Sequence, residues 1–187
     1  MRIITGKAKG LKLKTPAGMN TRPTSDRIKE SLFSVLGGMI DFNECKKVLD
    51  IFAGTGALGL EAVSRGAESA FFADNFTADL IRENIKRAKF EENCKVFRGD
   101  FEKSLSNFAG AGEVFDLIFC DPPYNKGLSQ KTLDFVSEKN LLTENGLLIV
   151  ETGAEEFLDE PKNLKCIRRM TYGKTTGIRI YERGNWE

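Results

Sequence analysis

The sequence predicts an α/β fold built on a doubly wound, mostly parallel seven-stranded sheet. Three observations carry that expectation. Short apolar runs alternate with segments of helical spacing between Lys47 and Val150. The first of those runs ends in a glycine-rich turn that opens a helix. Two further apolar runs near the end of the chain flank a Tyr172-Gly173 turn and read as a strand pair that adds an antiparallel edge.

Taken in order, residues 1–20 read as a basic hairpin or arm. Ile4, Leu11 and Leu13 are interleaved with basic residues, and Gly6, Gly10 and Pro16-Ala17-Gly18 supply the turns. Thr24, Ser25 and Asp26 are competent N-caps for a helix that carries Ile28, Leu32, Val35 and Leu36 at helical spacing and stops at Gly37-Gly38. Strands follow over 48–52, 70–74, 95–98, 115–120 and 146–151. Helices are expected over 57–64, 77–90 and 128–136, and the closing strands over 164–170 and 176–183. The 187 residues are enough for a sizeable core and show no internal repeat or linker. One domain over 1–187 is expected, with residues 1–40 as N-terminal arm and helix and 41–187 as the core.

Composition excludes several chemistries. There is no histidine, which removes Ser-His-Asp and Cys-His nucleophile systems and His-based metal sites. The four cysteines contain no C-x-x-C pair, so no metal site is expected. No apolar segment is long enough to span a membrane, and the N-terminus lacks the apolar region of a signal peptide, so a cytoplasmic location is expected. Charge is uneven. The first thirty residues hold eight basic side chains against two acidic (+6), and the remainder holds 20 against 25 (−5). A basic segment on a neutral-to-acidic body suits a polyanion.

Two motifs carry chemistry. Asp121-Pro122-Pro123-Tyr124 closes the strand at 115–120, because neither proline can donate to a sheet ladder. Asp121 thus stands at a strand's carboxyl end, where open α/β sheets bind ligands. Asp121 and a Pro122 or Pro123 carbonyl can accept from a planar amino group, and Tyr124 can stack on the ring that bears it. Upstream, Asp50-Ile51-Phe52-Ala53-Gly54-Thr55-Gly56-Ala57-Leu58-Gly59 joins strand to helix. Gly54, Gly56 and Gly59 match a dinucleotide fingerprint, with Asp74 about twenty residues on, so an NAD-binding protein is one reading. Asp50 weighs against it, since a carboxylate there repels a pyrophosphate and attracts an ammonium group.

The Asp-x-x-x-Gly-x-Gly loop followed by an acidic strand end resembles the class I methyltransferase pattern. That resemblance implies a Rossmann-like fold and S-adenosyl-L-methionine as cofactor. It places Asp50, Ala53, Gly54, Thr55 and Gly56 near the methionine end, Asp74 and Asn75 at the ribose, and Asp100 and Phe101 at the adenine. With Met1-Arg2-Ile3-Ile4-Thr5-Gly6, Leu13-Lys14-Thr15-Pro16 and Arg22-Pro23-Thr24-Ser25-Asp26-Arg27 included, nearly the whole chain resembles the RsmD family. Those enzymes methylate the N2 of a guanine in bacterial 16S ribosomal RNA. The resemblance implies ribosomal RNA or a small-subunit particle as partner, a monomer, and phosphate contacts from Lys7, Lys9, Lys12, Lys14, Arg22, Thr24, Arg27 and Lys29. The chain departs from the family pattern at Thr152, where His is common, and at Lys174, where Asp is common. DNA or RNA adenine-N6 methyltransferases share the Asp-Pro-Pro-Tyr tetrapeptide and stand as the alternative, and glutamine-N5 methyltransferases more often carry Asn at the position of Asp121.

Overall fold

A computed structural model describes residues 1–16, 23–123 and 127–184, with side chains omitted at 23–25. Its order is α1 (Pro23–Leu36), β1 (Lys47–Ile51), α2 (Ala57–Arg65), β2 (Ser69–Asp74), α3 (Ala78–Ala88), β3 (Cys94–Arg98), α4 (Phe101–Gly110), β4 (Phe115–Cys120), α5 (Leu128–Glu138), β5 (Leu142–Gly153), β6 (Leu164–Tyr172) and β7 (Thr176–Arg183). The seven strands form one sheet in the order β3-β2-β1-β4-β5-β7-β6. Five are parallel. β7 inserts antiparallel beside β5, and β6 pairs antiparallel with β7 at the edge. The expected strand pair is therefore present, with its later member on the inside.

Alternation along each strand sends neighbouring residues to opposite faces. Val48, Leu117, Phe119, Leu147 and Ile149 pack with α1, α2 and α3, while Leu49, Ile51, Ile118, Leu148 and Val150 pack with α4 and α5. α4 is absent from the sequence reading. Its Phe101, Leu105 and Phe108 are buried, but its short span and its Ser, Asn and Gly content weaken the helical signal. Asp100 caps it by accepting from the Glu102 amide at 2.9 Å.

The N-terminal residues are not a loose arm. An antiparallel bridge joins Arg2 to Lys12, Ile3 and Leu13 are buried, and the hairpin is fixed to the body by side chains of α2 and α3. Glu61 is central to this. Its fully buried carboxylate accepts from the amides of Ile4 (2.7 Å) and Thr5 (3.0 Å) and pairs with Arg65 (2.9 Å) and with Lys29 of α1 (3.2 Å). Asn84, also fully buried, accepts from the Lys14 amide and donates to the carbonyls of Lys14 and Thr55.

Candidate active site

The carboxyl ends of the parallel strands and the start of β7 meet at one end of the sheet. There they border a cavity of about 680 Å³. Its wall includes Asp50, Ala53, Gly54 and Thr55 from the glycine loop and Cys120 and Asp121 from the end of β4. Two motifs seventy residues apart in sequence thus share one space. α1 contributes Ile28, Lys29 and Leu32, β5 contributes Ile149 and Glu151, and the start of β7 contributes Thr176 and Ile178.

Register explains why the acids converge. Asp50 pairs with Phe119, and Phe119 with Ile149. Two residues further on, Asp121 and Glu151 project to the same face as Asp50. Asp50 is 2% exposed and accepts from the Gly59 amide at 2.9 Å. Burial, aided by the charge of Asp74 and opposed by the Gly59 bond, pushes its carboxyl up to about 8. Asp121 is also pushed well above the usual carboxylate range, first by the surrounding protein and then by Glu151 and Asp50. Its side chain still meets solvent at the cavity, which softens that effect without reversing it. The Cys120 thiol, buried and raised strongly by that burial, is not poised to act as a nucleophile.

The loop glycines divide their tasks. Gly54 has φ +56°, and a Cβ there would meet only the Phe52 carbonyl at 3.9 Å, so this position is open. A Cβ on Gly56 would press on Phe72 and Ile81 at 3.3 Å, and one on Gly59 would approach Phe72 Cε1 to 2.5 Å, so both serve packing of α2 on the sheet. Asp74 Oδ2 accepts from the Gly54 amide at 3.0 Å, and Oδ1 from Phe76 and Thr77 at 2.8 Å. Asp74, Asn75, Asp100 and Phe101 stand at the neighbouring strand ends, outside the cavity wall. Phe52 links the two regions: it lines the cavity, and its ring lies 5.3 Å from that of Phe101. Its φ of 60° is unusual for a bulky residue. Nothing in the sequence signals that conformation, and Phe52, Glu151, Ile28 and Leu32 are not among the expected site residues.

The basic residues fall into groups. Lys7, Lys9, Lys12 and Arg27 are exposed. Lys14 is ion-paired with Glu83 on the surface. Lys29 is a correction: it is 3% exposed, paired with Glu61 and bonded to the Arg2 carbonyl, so it cannot also reach out to a phosphate. Arg22, the Thr24 side chain and Tyr124 lie outside the described residues. Thr152 projects to the face opposite Glu151, is fully buried and donates to the Gly177 carbonyl, so that departure from the family pattern belongs to packing. Lys174 is exposed in the β6–β7 turn, beside Thr175 on the cavity wall. Among the described residues no group of three or more potential ligands could hold a metal ion, and no helix is long and apolar enough to cross a membrane.

Residues 1–182 match the family described as conserved hypothetical protein 95. The chain is 39% identical to YlbH of Bacillus subtilis (strain 168) over 186 residues, covering 98% of this chain and 99% of that one. It is 36% identical over 187 residues to ribosomal RNA small subunit methyltransferase D of Haemophilus influenzae, covering 97% and 91%. The solved structure of Escherichia coli YhhF superposes with a TM-score of 0.82 at 30% identity, covering 100% and 99%. A Rossmann-like methyltransferase sheet, a shared cavity for the two motifs and these full-length similarities converge: the chain belongs to the RsmD family of ribosomal RNA methyltransferases.

Proposed function

We propose that this protein transfers a methyl group from S-adenosyl-L-methionine to the exocyclic N2 of a guanine in small-subunit (16S) ribosomal RNA. The observation that carries the reading is the single cavity bordered by both Asp50-to-Thr55 and Asp121. The residues fit the cofactor: an open Gly54, apolar walls from Ile28, Leu32 and Leu58, and an acid-lined interior whose carboxyls are drawn into ionised form by a ligand with sulfonium and ammonium charges. When bound there, the cofactor supplies an electrophilic methyl carbon. Asp50 and the loop backbone would hold its amino-acid end, Asp74 and Asn75 its ribose, and Asp100 and Phe101 its adenine.

Asp121 and a carbonyl of Pro122 or Pro123 would accept from the amino group and aim its lone pair at the methyl carbon. As the N–C bond forms and the C–S bond breaks, positive charge grows on nitrogen, and the nearby carboxylates favour it. The raised affinity of Asp121 for a proton suits it to take the one the product amine loses. Tyr124 would stack on the base. Lys7, Lys9, Lys12 and Arg27, with Arg22 and Thr24, would hold phosphates, and Lys14 would do so after parting from Glu83. A paired target would be extruded first. The chain works as one cytoplasmic unit, a monomer with its basic hairpin and α1 over residues 1–40 and its catalytic core over 41–187. The partner is ribosomal RNA or a small-subunit particle.

The deciding experiment incubates the protein with labelled cofactor and either small-subunit ribosomal RNA or assembled particles, then maps the modified base. Label on guanine N2 is expected. Label on adenine or on protein overturns the reading.

A further inference from the structure

We propose that Glu151 reads the N1–H of the target base and thereby selects guanine over adenine. The inference rests on the guanine-N2 reading above and adds the residue that sets base choice. Phe119 pairs with Ile149 and Cys120 with Val150. One position further, Asp121 and Glu151 sit at the same level of adjacent parallel strands, about 5 Å apart by ordinary strand spacing. Alternation turns both to one face, and both border the same cavity. The charge of Glu151 is also felt at Asp121. On the other side of Glu151, the register places Ile178 of β7, an apolar part of the same cavity wall.

When both are ionised, the two neighbouring carboxylates present acceptors only. Guanine's Watson–Crick edge offers two adjacent donors, N1–H and the N2 amino group. With the amino group on Asp121, N1–H falls toward the neighbouring strand, where Glu151 stands. Adenine offers one amino donor and a bare N1 lone pair, and that lone pair would face a carboxylate. The Asp-Pro-Pro segment by itself accepts from either amino group, whereas Asp121 and Glu151 together accept guanine and repel adenine. A site built around a hydrogen-bonding partner rejects the analogue that lacks it, because the acceptor loses its donor and meets a lone pair instead.

The test uses RNA in which the mapped target guanine is replaced by 2-aminopurine. That base keeps the 2-amino group but has a lone pair in place of N1–H. The wild-type protein is expected to show kcat/KM about 10- to 100-fold lower on 2-aminopurine. In Glu151→Gln the amide can donate to N1, and the preference is expected to shrink at least tenfold or invert. Binding of S-adenosylhomocysteine and the thermal midpoint report whether that variant is folded. Equal wild-type rates on the two bases overturn the inference without recourse to any variant, as does an unchanged preference in folded Glu151→Gln. If the wild-type protein places no methyl on guanine N2 at all, the proposed function itself falls, a result distinct from methylating both bases alike.

Discussion

Asp121 and Asp50 illustrate how far single residues can be read. Both are visible in the sequence as acids at strand ends, because prolines and glycines mark where the strands stop. Replacing Asp121 by Ala is expected to abolish methyl transfer while S-adenosylhomocysteine still binds with an affinity within a few-fold of wild type. Radiolabel incorporation and calorimetry separate the two effects, and retained turnover removes Asp121 from its role. What the sequence does not show is the state of Asp50. Burial raises its carboxyl from 3.8 to about 8, so the folded protein holds a proton there that the unfolded chain releases. The native state then binds more protons between those values, and stability falls as pH rises through that window, by on the order of 1.4 kcal/mol per pH unit. Urea midpoints measured from pH 4 to pH 8 are expected to show that fall in the wild type and a flatter profile in Asp50→Asn. A profile of equal slope in both contradicts a proton held on Asp50.

At the scale of elements, periodicity placed eleven of the twelve described helices and strands, with only β5 starting well before its expected bound, because buried runs of period two and stripes of helical spacing survive in the sequence. α4 escaped it, as did the docking of the N-terminal hairpin. Docking depends on Glu61, Asn84 and Lys29, polar residues whose partners lie 27 to 70 positions away and leave no local pattern. Their consequence is measurable. Glu61→Ala leaves Lys29 buried without its carboxylate and frees the amides of Ile4 and Thr5. A loss of about 3–5 kcal/mol in unfolding free energy is expected, read by denaturant titration. Gly59→Ala tests another join. Its new methyl would intrude on Phe72, and a cost of about 1–3 kcal/mol is expected, whereas a neutral result means that α2 can shift outward.

For the molecule as a whole, charge separates by region: an exposed basic hairpin outside, acidic side chains on the cavity wall. The proposed function puts the polyanion at that surface and a donor-rich group in the cavity. Neutralising Lys7, Lys9 and Lys12 together is expected to weaken RNA binding and reduce the slope of log K against log salt by up to about 2–3. Lys14→Ala is expected to contribute less, because Glu83 already competes for that charge. Filter binding at several salt concentrations decides it; an unchanged slope in the triple variant makes the hairpin a merely solvated face. The charge imbalance was plain in the sequence, yet its detail was not. Lys29 counts as a cation in any sequence tally and is spent inside the protein.

The position of β7 has a consequence in time. Its residues close the cavity wall at Thr176 and Ile178 and hold β6 to the rest of the sheet, yet they follow both neighbouring strands in the sequence. A nascent chain that has already formed the glycine loop and Asp121 still has an open flank there. The cavity wall is therefore complete only when residues 176–183 thread between two strands made before them.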